Sequence, residues 1–188
     1  MILTKTNNSL LPVLDWRAPL IRVADAGTPV TFHLQDVFNY HGYDAVGGVV
    51  LGFRLLQQAF AMLSPDTLPE RREFALFTAF PGLGARDCFE LITRMVTEGR
   101  FRLDTGFSDT SAQVGVEGRF HFDFSYRGRH ALLTPIAGAP SAEFIELGKA
   151  SKDPVASPQQ KKDWQQAKLS LANTLLAAEP GDVIRPVS

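Results

Sequence analysis

The fold is decided by the stretch from Val37 to Leu63, which reads VFNYHGYDAVGGVVLGFRLLQQAFAML. Its second half predicts a long helix with a broad apolar face, because large apolar residues recur there at helical spacing: Val46, Val49, Val50, Phe53, Leu56, Phe60 and Leu63. Asp44 is expected to cap the start of this helix, and the Ser-Pro-Asp at 64–66 ends it. Gly48 and Gly52 lie four residues apart, so we expect a second backbone to approach that face closely.

Strands and a second helix follow along the chain. Residues 74–80 form a nearly unbroken apolar run, which is typical of a strand covered on both faces. A turn at 81–84 leads into a predicted helix from Ala85 to Glu98, which Gly99 is placed to cap. Two further alternating strands are predicted at 101–104 and 119–126, the second with four aromatic residues on one face. A tight hairpin at 127–129 then leads into a strand at 130–134.

The last part of the chain is expected to be mainly helical. Residues 141–148 predict a short helix, and residues 149–159 predict a linker. Ser157 and Pro158 are a typical helix start, with a capping hydroxyl before a proline in the first turn. The inward side of this closing helix is predicted to carry Trp164, Ala167, Leu171, Leu175 and Leu176. The Glu-Pro-Gly at 179–181 ends it.

The order of these elements predicts an α+β fold. Its core is α-β-α-β-β-β, with a mixed sheet packed against helices, plus a C-terminal helix. We expect one domain over residues 1–188, with its core at about 30–148 and the linker and last helix at 149–188. Before the core, residues 10–12 and 19–23 are expected as short extended pieces or an edge strand. Residues 25–29 are a turn. Residues 30–34 alternate as a strand does, and a short helix through Tyr40 is the open alternative.

Composition narrows the classes of protein to consider. Apolar residues make up 45% of the chain and charged residues 21%, which is a globular composition. The net charge of −1 provides no basic field for nucleic acid or an anionic membrane. No apolar stretch is expected to span a bilayer, and the first residues lack the apolar run of a signal peptide. The single cysteine, Cys88, has no internal disulfide partner, which favours a reducing, cytoplasmic location.

The polar residues around His41 are the leading candidates for a site. His41 precedes a helix start and sits among Asn39, Tyr40, Tyr43 and Asp44. It either contacts a ligand or only hydrogen-bonds a loop backbone. Tyr43 either donates to a ligand or packs with a solvated hydroxyl. Asp44 is a candidate ligand-binding residue and general base, although the role of helix cap is the simpler interpretation.

Three further candidates lie on the two predicted helices. Arg54 either binds a carboxylate or phosphate with its two-pronged guanidinium, or packs its stem along the helix flank. Asp87 either contacts a ligand or complements the helix dipole. Cys88 is either a small buried apolar residue or a second metal ligand beside His41, if the two helix starts adjoin. Common enzyme motifs are absent from the sequence, and His121 and His130 are expected to be solvated.

Two segments resemble the signature of the formylmethanofuran dehydrogenase E-subunit family. They are Tyr-His-Gly at 40–42 and Gly-Val-Val-Leu-Gly-Phe-Arg at 48–54. The family signature reads His-Gly-His-x-Cys-Pro-Gly, three apolar residues, then Gly-x-Arg. The family also places Cys-x-x-Asp at the start of its second helix, where this chain has Gly-Ala-Arg-Asp at 84–87. The resemblance covers about half of the chain. It implies an α-β-α-β-β-β fold, metal ligands among the His and Cys residues, and a homodimer.

This chain departs from the family at the metal-ligand positions. Tyr43 replaces the second histidine, and Ala45 or Val46 stands where the cysteine is expected. Because residues 1–188 hold one cysteine, we expect no C-terminal cysteine-rich zinc module of the kind that several members carry. His41 and Cys88 are then the metal-ligand candidates that are left, and at most weakly bound zinc is expected.

Three functions follow from these patterns. The first is a small-molecule- or metal-binding accessory protein of one-carbon metabolism with a degenerate metal site. The second is a small enzyme that uses His41, Tyr43 and Asp44 on an unknown substrate. The third is a structural dimerisation module. We also expect a homodimer, because two-fold dimers are the commonest soluble assembly, and light scattering at micromolar concentration tests this.

Overall fold

A computed structural model describes residues 19–187 of the chain. Within that range there are six α-helices and seven strands in two sheets. In chain order the elements are β1 (Leu20–Asp25), β2 (Thr28–His33), α1 (Leu34–His41), α2 (Val46–Leu63), β3 (Phe74–Thr78), α3 (Leu83–Thr93), β4 (Phe101–Leu103), β5 (Phe122–Tyr126), β6 (Arg129–Pro135), α4 (Ala142–Lys152), α5 (Pro158–Leu176), α6 (Pro180–Val183) and β7 (Ile184–Pro186). The extended piece predicted at residues 10–12 lies outside the described residues.

The larger sheet is mixed, as predicted. Its strand order is β4-β3-β5-β6-β7. β3 and β4 run parallel, with α3 as the crossover between them, and the other neighbours are antiparallel. The predicted α-β-α-β-β-β core is therefore confirmed as α2-β3-α3-β4-β5-β6. β1 and β2 form a separate hairpin, and α1 follows β2 directly, so residues 28–41 contain both the strand and the short helix.

Helix α2 is the centre of the core, where it packs against α3, α5 and β6. It is long and apolar enough to pass the length and composition test for a membrane span, with a mean hydropathy of 1.5. The expectation that no apolar stretch is long enough to span a bilayer was therefore wrong as regards length. However, 72% of the helix is buried inside the protein, as in the core helix of a soluble protein.

Glycines set how closely α2 and α3 approach each other. A Cβ atom on Gly52 would lie 2.8 Å from the Cα atom of Ala85. A Cβ atom on Gly84 would lie 2.9 Å from both the Ala45 carbonyl oxygen and the Val49 amide nitrogen. The two backbones therefore interlock, which confirms the close approach predicted from Gly48 and Gly52.

The inner face of the sheet is aromatic. The four aromatic residues predicted to share one face are all buried: Phe120, Phe122, Phe124 and Tyr126. Phe89 of α3 meets the rings of Phe122 and Phe124 edge-on. β3 alternates between buried and partly exposed residues, so the prediction that it is covered on both faces was wrong.

Several predicted element ends were also wrong. Ala45, not Asp44, is the residue before α2, and no side chain within residues 19–187 caps that helix. α3 ends at Thr93 and not at Glu98, because the Glu90 carboxylate accepts the amide hydrogens of residues 96 and 97 and turns the chain back. Arg94 rather than Gly99 is its C-cap. α4 extends to Lys152 into the predicted linker, and strand β7 was not foreseen.

Arginine side chains hold the last carbonyl groups of the core helices. Arg129 donates to the Leu63 carbonyl at the end of α2, at 2.8 Å. Arg71, which is buried, donates to the carbonyl groups of Leu91 and Ile92 in α3, both at 2.7 Å. A cation near a helix C-terminus offsets the partial negative charge of carbonyls that lack an intrahelical partner.

Candidate functional site

The centre of the candidate site is an imidazole–carboxylate pair. His41 is the last residue of α1, and Asp87 is the fifth residue of α3. The Nδ1 atom of His41 lies 2.7 Å from Oδ2 of Asp87. Since an ionised carboxylate only accepts hydrogen bonds, the hydrogen of a neutral ring is assigned to Nδ1, and Nε2 then carries the lone pair.

The second ring nitrogen of His41 has no hydrogen-bond partner among residues 19–187. The His41 side chain is only 9% exposed, and Oδ1 of Asp44 lies 3.4 Å from Nε2, outside hydrogen-bonding geometry. The Asp44 side chain is 83% exposed, so it can move away from Nε2 at little cost. Buried polar atoms without a partner are rare in folded proteins, and Nε2 is therefore a candidate ligand contact.

His41 lies in the wall of a cavity of about 350 Å³. The beginnings of α2 and α3 form one side of this cavity, through Ala45, Gly48 and residues 82–84. The remaining wall contains two lysines, two carboxylates, an aromatic surface, a proline and a valine: Lys152, Lys168, Asp44, Glu117, Phe80, Phe120, Phe144, Trp164, Pro81 and Val116. The volume is at the lower end of the range for small-molecule sites, and a mixed apolar and polar wall is typical of them.

The glycine contacts between α2 and α3 explain why the His41–Asp87 pair lies beside the cavity. Gly84 lets the start of α3 lie against the start of α2. α1 leads into α2 through only four residues, so its last residue is carried to the same place. Cys88 was expected to lie beside His41 if the starts of the two helices adjoin. The helix starts do adjoin, but the residue that contacts His41 is Asp87.

Lys168 carries the cavity's least compensated positive charge. Its Nζ atom donates to the main-chain carbonyl of Asp44 and lies 5.8 Å from the centre of the Trp164 ring. Burial lowers the pKa of the Lys168 ammonium below its ordinary value, and the nearby Asp44 carboxylate only partly opposes this. Lys152 differs, because Glu117 pairs with it at 2.7 Å.

Four of the predicted site residues do not line the cavity: Tyr43, Arg54, Asp87 and Cys88. Tyr43 stacks on Phe38, with ring centres 5.1 Å apart, and its hydroxyl accepts a hydrogen bond from Gln35 at 2.8 Å. Arg54 of α2 is buried against the C-terminal end of α5. Its guanidinium donates there to the carbonyl groups of Leu175, Leu176 and Ala178. All of its nitrogen atoms have protein partners, the last being Gln57, so a ligand-binding role for Arg54 is not supported.

The donor atoms near His41 do not fit zinc. Zinc sites use three or four protein ligands, and within residues 19–187 no group of three His, Cys, Asp or Glu residues is placed to hold a metal ion. Cys88 is fully buried against Gly52, and burial raises the pKa of its thiol well above the ordinary value. This disfavours the thiolate that a metal needs. No metal-dependent step is therefore assigned to this site.

Sequence reasoning missed Lys152, Lys168 and the aromatic wall. The two lysines lie on polar helices far along the chain, and nothing in their local pattern marks them. Trp164 was predicted on the inward side of its helix; it packs there on Phe144, and it also lines the cavity. The expectation for His121 was wrong as well, because it is only 5% exposed and its Nδ1 lies 2.9 Å from the Thr110 hydroxyl.

Comparison with known proteins adds no identification. No protein-family model matches the sequence, and a search of curated proteins finds no match.

Proposed function

We propose that this protein binds a small molecule in the cavity beside His41 and exchanges a proton with it through Nε2. One observation carries the proposal: Nδ1 of His41 is held by Asp87 at 2.7 Å, the buried Nε2 has no hydrogen-bond partner in residues 19–187, and the residue itself lines the cavity. A histidine held in this way has one nitrogen committed to the protein and one available to a ligand.

The pair suits general acid–base chemistry. The Asp87 carboxylate orients the ring and stabilises the imidazolium that forms when Nε2 accepts a proton. The same nitrogen can then return the proton to the ligand. Asp87 acts only through His41, so it is a positioning residue. This supports the enzyme interpretation with a changed set of residues, in which His41 and Asp87 replace the predicted cluster of His41, Tyr43 and Asp44.

The resemblance to the E-subunit family of formylmethanofuran dehydrogenase supports a narrower proposal. On that basis, the protein is an accessory protein of one-carbon metabolism that has kept the signature glycines and His41. The family's metal chemistry is not carried over, because Tyr43 and the buried Cys88 are unsuitable ligands. The ligand contact at His41 is common to both forms of the proposal.

A ligand screen read out at the histidine ring tests the proposal. We expect compounds from a fragment library to shift the Nε2 signal of His41 in long-range ¹H–¹⁵N spectra of histidine-labelled protein. The same compounds should bind His41→Gln at least about tenfold more weakly. His130→Gln is the matched control, because His130 is an exposed histidine paired with Asp123 on the sheet.

The ring of His41 is buried, so the melting temperature of His41→Gln is measured first. Binding is compared at a temperature where both variants are folded. Compounds that bind wild type and His41→Gln equally well, or that shift only the other histidines, would contradict the proposal.

A further inference from the structure

The cavity is the meeting point of two helix N-termini. α2 begins at Val46 and α3 begins at Leu83, and neither has a side-chain cap within residues 19–187. Neither has an acidic residue in its first turn. The first amide hydrogens of a helix have no intrahelical partner, and together with the helix dipole they favour a negative charge nearby. Two such helix ends favour an anion in the cavity, because no acidic side chain in either first turn offsets their partial positive charge.

The charged side chains of the cavity point the same way. Lys168 makes no ion pair with a carboxylate in the described part of the chain, although it is half-buried. The two acidic residues of the cavity wall compensate it poorly, because Glu117 is paired with Lys152 and the Asp44 side chain is exposed to solvent. Burial lowers the pKa of Lys168, and a bound anion would offset the cost of keeping that ammonium charged.

A second, independent observation comes from His41. Its side chain is nine-tenths buried, and its Nε2 atom lacks a hydrogen-bond partner among residues 19–187. A ligand beside the two helix starts would therefore meet a polar atom that lacks a partner, in addition to the favourable electrostatic field of the helix ends.

The cavity wall also carries aromatic rings. Phe80 stacks on Phe120 with ring centres 4.9 Å apart, and Phe144 packs on Trp164 at 4.5 Å. All four rings line the cavity. Such a surface binds the apolar body of a ligand by burial and ring contact, and it offers little to a bare inorganic ion.

We infer that the ligand is a small organic anion, a carboxylate or a phosphate monoester, with an aromatic or other apolar body. Its anionic group lies at the starts of α2 and α3 beside Lys168, and its body lies against the two aromatic pairs. The inference rests on the proposed function for the location of the site, and it adds the class of ligand. His41 then faces the atoms that join the anionic group to the body.

Titration calorimetry with four probes tests the class of ligand. The probes are phenyl phosphate, phenylacetate, inorganic phosphate and the neutral benzyl alcohol. We expect phenyl phosphate or phenylacetate to bind at least about tenfold more tightly than benzyl alcohol, because a charge-assisted contact adds to the same apolar burial. The two organic anions distinguish a phosphate from a carboxylate. Inorganic phosphate alone should bind more weakly than phenyl phosphate.

Two pairs of variants locate the anion. Lys168→Gln should weaken the preferred organic anion about tenfold and leave benzyl alcohol unchanged. Lys161→Gln is the control, an exposed lysine in the first turn of the same helix. Leu83→Glu should also weaken the anion, because it adds a negative charge at the start of α3. Leu83→Gln supplies the neutral comparison, and the 63% exposure of Leu83 means that both should fold.

Failure of this inference differs from failure of the proposed function. If benzyl alcohol binds as tightly as both anions, or if Lys168→Gln and Leu83→Glu behave like their controls, the anionic class is wrong. If His41→Gln binds the preferred anion as well as wild type does, the role proposed for His41 is wrong while the anion site stands.

Discussion

His41 and Asp87 are 46 positions apart in the sequence, yet their side chains meet at 2.7 Å and join the end of α1 to α3. This single contact fixes which nitrogen of the imidazole is available to the cavity. Its loss should therefore change the chemistry of the ring more than the fold.

Asp87→Asn should reverse the tautomer of His41. The amide of asparagine can donate to Nδ1, which moves the ring hydrogen to Nε2 and removes the lone pair from the cavity. We expect long-range ¹H–¹⁵N spectra to show this change. Asp123→Asn, at the exposed pair with His130, is the control. An unchanged His41 tautomer in Asp87→Asn would show that the carboxylate does not set the ring state.

Gly52→Leu should destabilise the protein strongly. Even a Cβ atom there would lie 2.8 Å from the Ala85 backbone and 3.0 Å from the Cys88 side chain, so overpacking should cost about 3 kcal/mol or more. Gly48→Ala is the contrast, because its Cβ atom would have no neighbour closer than 3.6 Å and alanine favours helix. Urea unfolding measures both, and a Gly52→Leu protein as stable as wild type would refute the interlocked packing.

Arg54→Met should reduce stability without acting on the ligand site. Arg54 is buried and donates to three carbonyl groups near the end of α5, which methionine leaves without their donors. We expect a loss of about 2–4 kcal/mol in the free energy of unfolding. Arg22→Met, at an exposed position of β1, should lose far less. If Arg54→Met instead kept its stability and lost ligand binding, Arg54 would be a ligand contact after all.

His121 should make stability depend on pH. Burial lowers the pKa of His121 below its ordinary value, although Asp123 opposes this in part. The unfolded chain therefore takes up the proton at a higher pH than the folded protein does. Stability is complete above the unfolded pKa of about 6.5, falls as the pH drops through it, and levels off below the folded pKa.

His121→Gln should flatten that dependence, because glutamine does not titrate. Urea unfolding from about pH 8 to about pH 5 measures the effect, with His130→Gln as the exposed control. Parallel curves for wild type and His121→Gln would mean that other groups set the acid sensitivity.

Zinc should be scarce in the purified protein, and mild chelation should remove what is bound. Within residues 19–187 no three His, Cys, Asp or Glu side chains are placed to hold a metal ion, and the Cys88 thiol is buried with a raised pKa. Cys88 should accordingly react with thiol reagents only after unfolding. One zinc ion per chain that survives dialysis against a chelator would overturn this prediction.

The order of helices and strands could be predicted because its signals are local. Apolar spacing marks α2, alternation marks β5, and Ser157 with Pro158 marks the start of α5. β7 has only three residues, and it is a strand because β6 lies beside it. No pattern within residues 184–186 carries that information.

The candidate site could be predicted only in pieces. His41, Asp44 and Asp87 were each singled out, but the contact between His41 and Asp87 depends on how closely α2 and α3 pack. That distance follows from which atoms face Gly52 and Gly84, and a single sequence does not show it. The role of Lys168 could not be predicted for a related reason. It lines the cavity only because α5 packs on α2.

Arg54 of α2 holds the C-terminal end of α5 through hydrogen bonds to carbonyl groups there. That end is therefore the point about which α5 would tilt. Its last turn is held to α2, whereas Trp164 lies about 16 Å away along the helix axis. A tilt of roughly 5° about the held end would move Trp164 by about 1.4 Å, and the tie between Lys168 and the Asp44 carbonyl restrains this tilt. Gly47 restrains the tilt further, because it lets the α5 backbone pack on α2: a Cβ atom on Gly47 would lie 3.1 Å from the Lys168 carbonyl oxygen. Hydrogen exchange should be fastest near residue 160 and slowest near residue 175.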